Sequence, residues 1–115
     1  MLEALWSIEF ISNMDSLGTG VAVLETGRIL GGDSTFMYVG NYRVDNGRIN
    51  AEIKVTKYSN AINLPSIFGE LQEFNVKVSG KVDRETIILS GHELSNSSMK
   101  VDIKATRRVE LPNPQ

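Results

Sequence analysis

Apolar and polar residues alternate through most of this chain, and the alternation runs longest from Phe36 to Tyr58. That stretch predicts a β-hairpin turning at Asn46-Gly47. A two-residue hairpin loop needs φ > 0 at both central positions, and Asn-Gly tolerates this best. Counting outward from the turn pairs Asp45 with Arg48, Val44 with Ile49, Tyr42 with Ala51, Gly40 with Ile53 and Tyr38 with Val55. Beyond its opening charge pair, this set is apolar, aromatic or small. The other face pairs Arg43 with Asn50, Asn41 with Glu52, Val39 with Lys54 and Met37 with Thr56, and is mostly polar. A slip of one residue would mix the two faces, so turn chemistry and hydrophobic pattern select the same register.

The same period recurs on both sides. Residues 5–12 turn Trp6, Ile8 and Phe10 one way. A turn follows over Asn13–Gly18, then a second strand over Thr19–Thr26. A tight turn at Thr26-Gly27 sets Glu25 opposite Arg28, the start of a short third strand ending at Leu30. Gly31-Gly32-Asp33-Ser34 predicts a sharp bend or bulge. After the long hairpin, Ser59–Glu70 loses the alternation. It reads as a loop with one helical turn near Pro65–Phe68, its Ile62, Leu64, Ile67 and Phe68 plugging one end of the core. Residues 71–82 and 86–92 form two strands about Arg84-Glu85, which matches Val82 with Ile87 and Gly80 with Leu89. Ser95–Ser98 is a loop, with a bulge or odd-length connection nearby. Met99–Val109 is the last strand, with Met99, Val101, Ile103 and Ala105 inward, and residues 111–115 are a short disordered tail.

Seven or eight antiparallel strands, each with one apolar face, must close or fold over to keep that face dry. The expected fold is therefore all-β, an antiparallel up-and-down barrel of about eight strands forming a single domain over 1–115. The alternative is a two-sheet β-sandwich. A barrel of that size is either filled by its side chains or holds one small ligand. The inward aromatics Trp6, Phe10, Tyr38, Tyr42 and Phe74, with Phe36, either fill the core or line such a cavity. Met37, Val39 and Ile88 fall on the outward register, where a cluster would mark an interface. A homodimer is the expectation that follows.

Composition narrows the function. The chain has 115 residues, 41% hydrophobic and 23% charged, with a net charge of −2 and no cysteine. That balance argues against direct nucleic-acid binding, which usually shows a basic stripe. It also removes disulfides, thiolate metal sites and cysteine nucleophiles. No window approaches the ~18 apolar residues of a membrane helix. The first ten residues carry glutamates where a signal peptide has a basic region, so the expected location is cytoplasmic, away from membranes. His92, the single histidine, has neither a second histidine for a usual metal site nor a nucleophile signature beside it. Gly31-Gly32-Asp33 lacks the Lys-Ser/Thr of a phosphate loop. No catalytic residue, cofactor or metal site is expected.

Several stretches together resemble the GrlR family of type III secretion regulators. They are Phe10, Ile11, Ser12, Asn13, Asp15, Ser16, Gly18 and Gly20 near the start, then Gly31, Gly32, Asp33, Tyr38 and Gly40. The resemblance covers roughly the first half of the chain. It implies a lipocalin-like barrel, a homodimer, no enzyme activity, and repression by binding a transcription activator. The family prototype presents an acidic run at the turn of the long hairpin. Here that place reads Val44-Asp45-Asn46-Gly47-Arg48, with one acid remaining. Asp45, Asn46, Gly47 and Arg48 are thus a candidate partner-binding turn without the acidic run. The alternative function is a carrier of an apolar small ligand in the barrel interior.

Overall fold

The long hairpin takes the register its turn requires. In the computed structural model, which describes residues 2–58, 66–69 and 71–114, β4 (Phe36–Asp45) and β5 (Arg48–Lys57) pair from Asp45↔Arg48 to Phe36↔Lys57 without a shift. Asn46 and Gly47 have φ of 52° and 75°, the left-handed pair that a tight hairpin turn needs. Thr26 and Gly27 repeat this geometry at φ 51° and 79°. They join β2 (Leu17–Glu25) to β3 (Arg28–Gly32), and the Arg28 guanidinium reaches the Glu25 carboxylate at 2.6 Å.

With β1 (Ala4–Ser12), β6 (Glu73–Lys81), β7 (Thr86–Glu93) and β8 (Asn96–Val109), these strands form a closed barrel in sequence order, β8 returning to β1. All pairings are antiparallel, and closure removes every free sheet edge. The fold is an all-β, eight-stranded up-and-down barrel; the sandwich alternative falls. Inward residues such as Trp6, Ala22, Ile49, Val78, Ile87 and Ala105 are buried. The outer wall carries Glu9, Glu52, Lys77, Asp102 and Lys104, all exposed.

Several local expectations change. Gly31 and Gly32 stay inside β3, paired with Ala22 and Val21 on one side and Tyr38 and Met37 on the other. The bend falls at Ser34-Thr35, just after Asp33, whose side chain accepts the loop's hydrogen bonds from the Thr35 and Phe36 amides. Val44 is 48% exposed although its partner Ile49 is buried, because β4 runs past the end of the packed interior. Asn96–Ser98 belong to β8, so the connection is only Leu94-Ser95, and the anticipated bulge lies between His92 and Glu93. The Val76↔Glu93 to Ser79↔Ser90 pairing keeps the register that matches Val82 with Ile87. Ser66–Gly69 is a bridged turn where a helical turn was expected, and its Phe68 is buried against Phe74, ring centres 5.0 Å apart. Ile62, Leu64 and Pro65 lie outside the described residues. Residues 110–114 carry no regular structure.

Candidate functional site: an apolar cavity with a polar mouth

Strand direction divides the barrel into two ends. One end carries the β2–β3, β4–β5 and β6–β7 turns together with the start of β1 and the end of β8. The other carries the β1–β2 turn, the β3–β4 loop, the Ser66–Gly69 turn and the β7–β8 turn.

The terminal end is plugged. Trp6 is completely buried there, its indole Nε1 donating to the Leu2 carbonyl at 3.0 Å. The Arg107 guanidinium stacks over that indole 5.2 Å from the ring centre, and its Nε donates to the Arg84 carbonyl at 2.8 Å.

The described residues do not fill the rest of the interior. A cavity of about 470 Å³ runs along the axis, walled by Ile8, Ala22, Ile53, Val76, Leu89, Ile103 and other apolar side chains. Among its described lining residues the exposed ones are Leu17, Thr19 and Ser34, all at the non-terminal end, which places the mouth there. Phe10, Tyr38 and Phe74 line the cavity; Trp6 and Tyr42 do not. Trp6 forms part of the plug. Tyr42 sits on β4 toward the plugged end, its backbone amide donating to the Gly27 carbonyl at 2.9 Å. Burial raises its phenol pKa, with a Gly27 backbone hydrogen bond opposing and the Glu3 carboxylate adding.

Space survives because two aromatic side chains pack against bare backbone. A Cβ added at Gly18 would stand 2.2 Å from the Phe10 ring, and one at Gly20 would stand 2.6 Å from the Tyr38 hydroxyl. Both glycines face inward on β2, opposite Phe10 and Ile8 of β1. The rings therefore press against the wall and leave the axis open. Ala22, Ala51 and Ala105 widen it further.

Asp33 organises the mouth. Its Oδ1 accepts from the backbone amides of Thr35 and Phe36 at 2.8 and 2.7 Å, and its Oδ2 accepts from the Tyr38 hydroxyl at 2.5 Å. Its own carbonyl accepts from the Tyr58 hydroxyl. Burial, then the hydrogen bond to Asp33 and its negative charge, push the Tyr38 phenol far above its ordinary pKa, so it remains a donor. Across the mouth, the Ser12 hydroxyl donates to the Ile67 carbonyl at 2.6 Å, and Asn13 Nδ2 donates to the Ser98 carbonyl at 2.8 Å.

The Asp45–Arg48 turn lies at the plugged end. The two residues face each other in register, yet they make no ion pair; among the described residues the ion pairs are Arg28–Glu25 and Lys54–Glu73. His92 is half-buried between Lys77 and Lys100, its Nδ1 2.8 Å from the Glu93 carbonyl. Sequence reasoning did not single out Asp33 as a site residue. Its signal was present: an Asp after two glycines, five residues before a tyrosine that an inward register places at the same end.

No family model matches the chain, and no curated protein matches it. Among solved structures it is similar to a redesigned β-barrel, at 10% identity and a TM-score of 0.48, over 93% of this chain and 91% of that one.

Proposed function

We propose that this protein is a non-enzymatic binding barrel that takes an apolar small molecule into its interior. The observation that carries this reading is the cavity of about 470 Å³, apolar along its walls and polar only at its mouth. That size falls within the roughly 300–1,000 Å³ typical of small-ligand sites. At about 30 Å³ for each small group, it has room for roughly fifteen non-hydrogen atoms. The environment-sensitive dye N-phenyl-1-naphthylamine tests the reading. Its fluorescence should rise on mixing with the protein and saturate at one dye per barrel. A flat titration up to solubility would remove the proposal.

A second reading is favoured by where the family-like residues gather. Of the residues that carry the resemblance to GrlR regulators, Phe10, Ser16, Gly18, Asp33 and Tyr38 line the cavity, and Ser12 and Asn13 make hydrogen bonds at the same end. This supports a shared scaffold and, with it, a regulatory role: binding a helix-turn-helix transcription activator, as a cytoplasmic homodimer. The outer wall offers a surface for the dimer. Val109, Leu5, Val23, Leu30 and Val39 are successive register partners across five strands, and Val21 and Met37 extend the row. Leu30, Val39, Val21 and Met37 are each more than 40% exposed. Ile88, on β7, stands apart from this row. The activator role is tested by adding the protein to a complex of such an activator with its DNA site. Release of the DNA supports it, and an unchanged complex at tens of micromolar retires it.

A further inference from the structure

We propose that the cavity selects ligands by head group, accepting a single-chain amphiphile whose head is a neutral or cationic hydrogen-bond donor and rejecting a carboxylate. The inference rests on the ligand-binding reading above and adds the chemistry of the ligand's polar end.

Among the described residues that line the cavity, Asp33 and Tyr38 are the only ionisable ones; none is Lys, Arg or His. No ion pair to Asp33 exists among the described residues. Among the described residues its negative charge at the mouth is held by hydrogen bonds, with no cation paired to it. Those bonds also leave capacity. A carboxylate offers about four acceptor positions. Two on Oδ1 are taken by the amides of Thr35 and Phe36, and one on Oδ2 by the Tyr38 hydroxyl. Among the described residues no further group donates to Oδ2, which leaves it one acceptor position.

Tyr38 cannot rescue an anionic head. Its single O–H is committed to Asp33, and burial beside that charge keeps it protonated. A ligand with its chain along the axis would bring its head to the rim formed by Asp33, Ser34, Thr35 and Ser66. An alcohol, amide or ammonium head can donate to the open Oδ2 position. A carboxylate head would meet a like charge at close range, partly shielded from water, where the repulsion is least screened.

The test is displacement of N-phenyl-1-naphthylamine by three ligands of equal chain length: decanol, decylammonium and decanoate, at neutral pH. Decanol and decylammonium should displace the dye, and decanoate should be weaker by at least about tenfold. Asp33→Asn keeps the shape and the acceptor for the two amides while removing the charge. It should shrink the gap between decanoate and decanol to within roughly threefold. Equal displacement by decanoate in the native protein overturns the proposal, and that comparison needs no variant. A gap that persists in a folded Asp33→Asn protein also overturns it. Dye that binds but yields to none of the three would show that the cavity takes no single-chain amphiphile, again overturning it. Absence of dye binding altogether removes the underlying ligand reading as well.

Discussion

The ring of Phe10 meets the ring of Tyr38 edge to face, centres 6.0 Å apart and planes at 87°. Each ring rests over an inward glycine of β2, Gly18 beneath Phe10 and Gly20 beside Tyr38. Edge-to-face pairs contribute about 0.5–1.5 kcal/mol beyond their burial, so the pair locks both rings against the wall. The open axis thus depends on the lack of two Cβ atoms.

Gly20→Ala tests this dependence. The new methyl would stand within 3 Å of both the Tyr38 hydroxyl and the Gly32 carbonyl. Tyr38 must then swing toward the axis or the strands must part. Overpacking of this kind typically costs about 1–3 kcal/mol. The expected result is a lower midpoint in urea together with weaker dye uptake. If both stability and uptake match the native protein, the glycine is not what keeps the cavity open.

Tyr38→Phe addresses the mouth from the other side. It removes the donor to Asp33 Oδ2 and leaves the ring contact with Phe10. Loss of a hydrogen bond to a charged acceptor is worth about 1.5–3 kcal/mol, reduced here where water reaches the half-buried carboxylate. We expect destabilisation toward the lower end, with dye uptake retained because the ring still lines the wall. Complete loss of uptake would mean the hydroxyl itself contacts the ligand.

The barrel and its registers were legible in the sequence because period-2 patterning and turn chemistry are local, and they agreed. Asn46-Gly47 and Thr26-Gly27 set two hairpins, and the inner faces followed. The state of the interior was not legible. Phe10, Tyr38 and Phe74 have the bulk to fill a barrel, and only the register Gly18↔Phe10 together with the placement of Gly20 under Tyr38 shows that two of them lie on the wall. Asp33 was hidden for a similar reason: its partners Thr35 and Phe36 are backbone amides, which leave no mark in residue identity. Val44 misled because the pattern continues past the end of the core.

The hairpin turn separates backbone from charge. Asn46 has φ 52°, whereas Asp45 and Arg48 face each other without an ion pair. Asn46→Val puts a β-branched residue in the left-handed region and should cost about 1–2 kcal/mol. Arg48→Ala should change stability by no more than about 0.5 kcal/mol. Matched urea denaturation curves compare them; a larger loss from Arg48→Ala would show that charge, and not backbone conformation, holds the turn.

Glu93 gives the pH dependence. It is buried at the bulge between β7 and β8, where Oε1 accepts from the amide and hydroxyl of Ser95 and Oε2 from the amide of Asn75. The Ser95 side-chain bond lowers its pKa most; burial opposes this, and the backbone amides of Asn75, Ser95 and Leu94 add to the lowering. A carboxyl with a depressed folded-state pKa binds protons more readily once unfolded. Its contribution is therefore complete above the unfolded value of about 4.3 and is lost as pH falls through the lower, folded value. Glu93→Gln removes this component at neutral pH, by about 1–2 kcal/mol for the lost charge-assisted bonds. The two proteins should then converge in stability as pH falls through the depressed folded-state pKa. Urea midpoints measured from pH 7 to pH 3 check this, and curves that stay parallel throughout would place the acid sensitivity in other carboxylates.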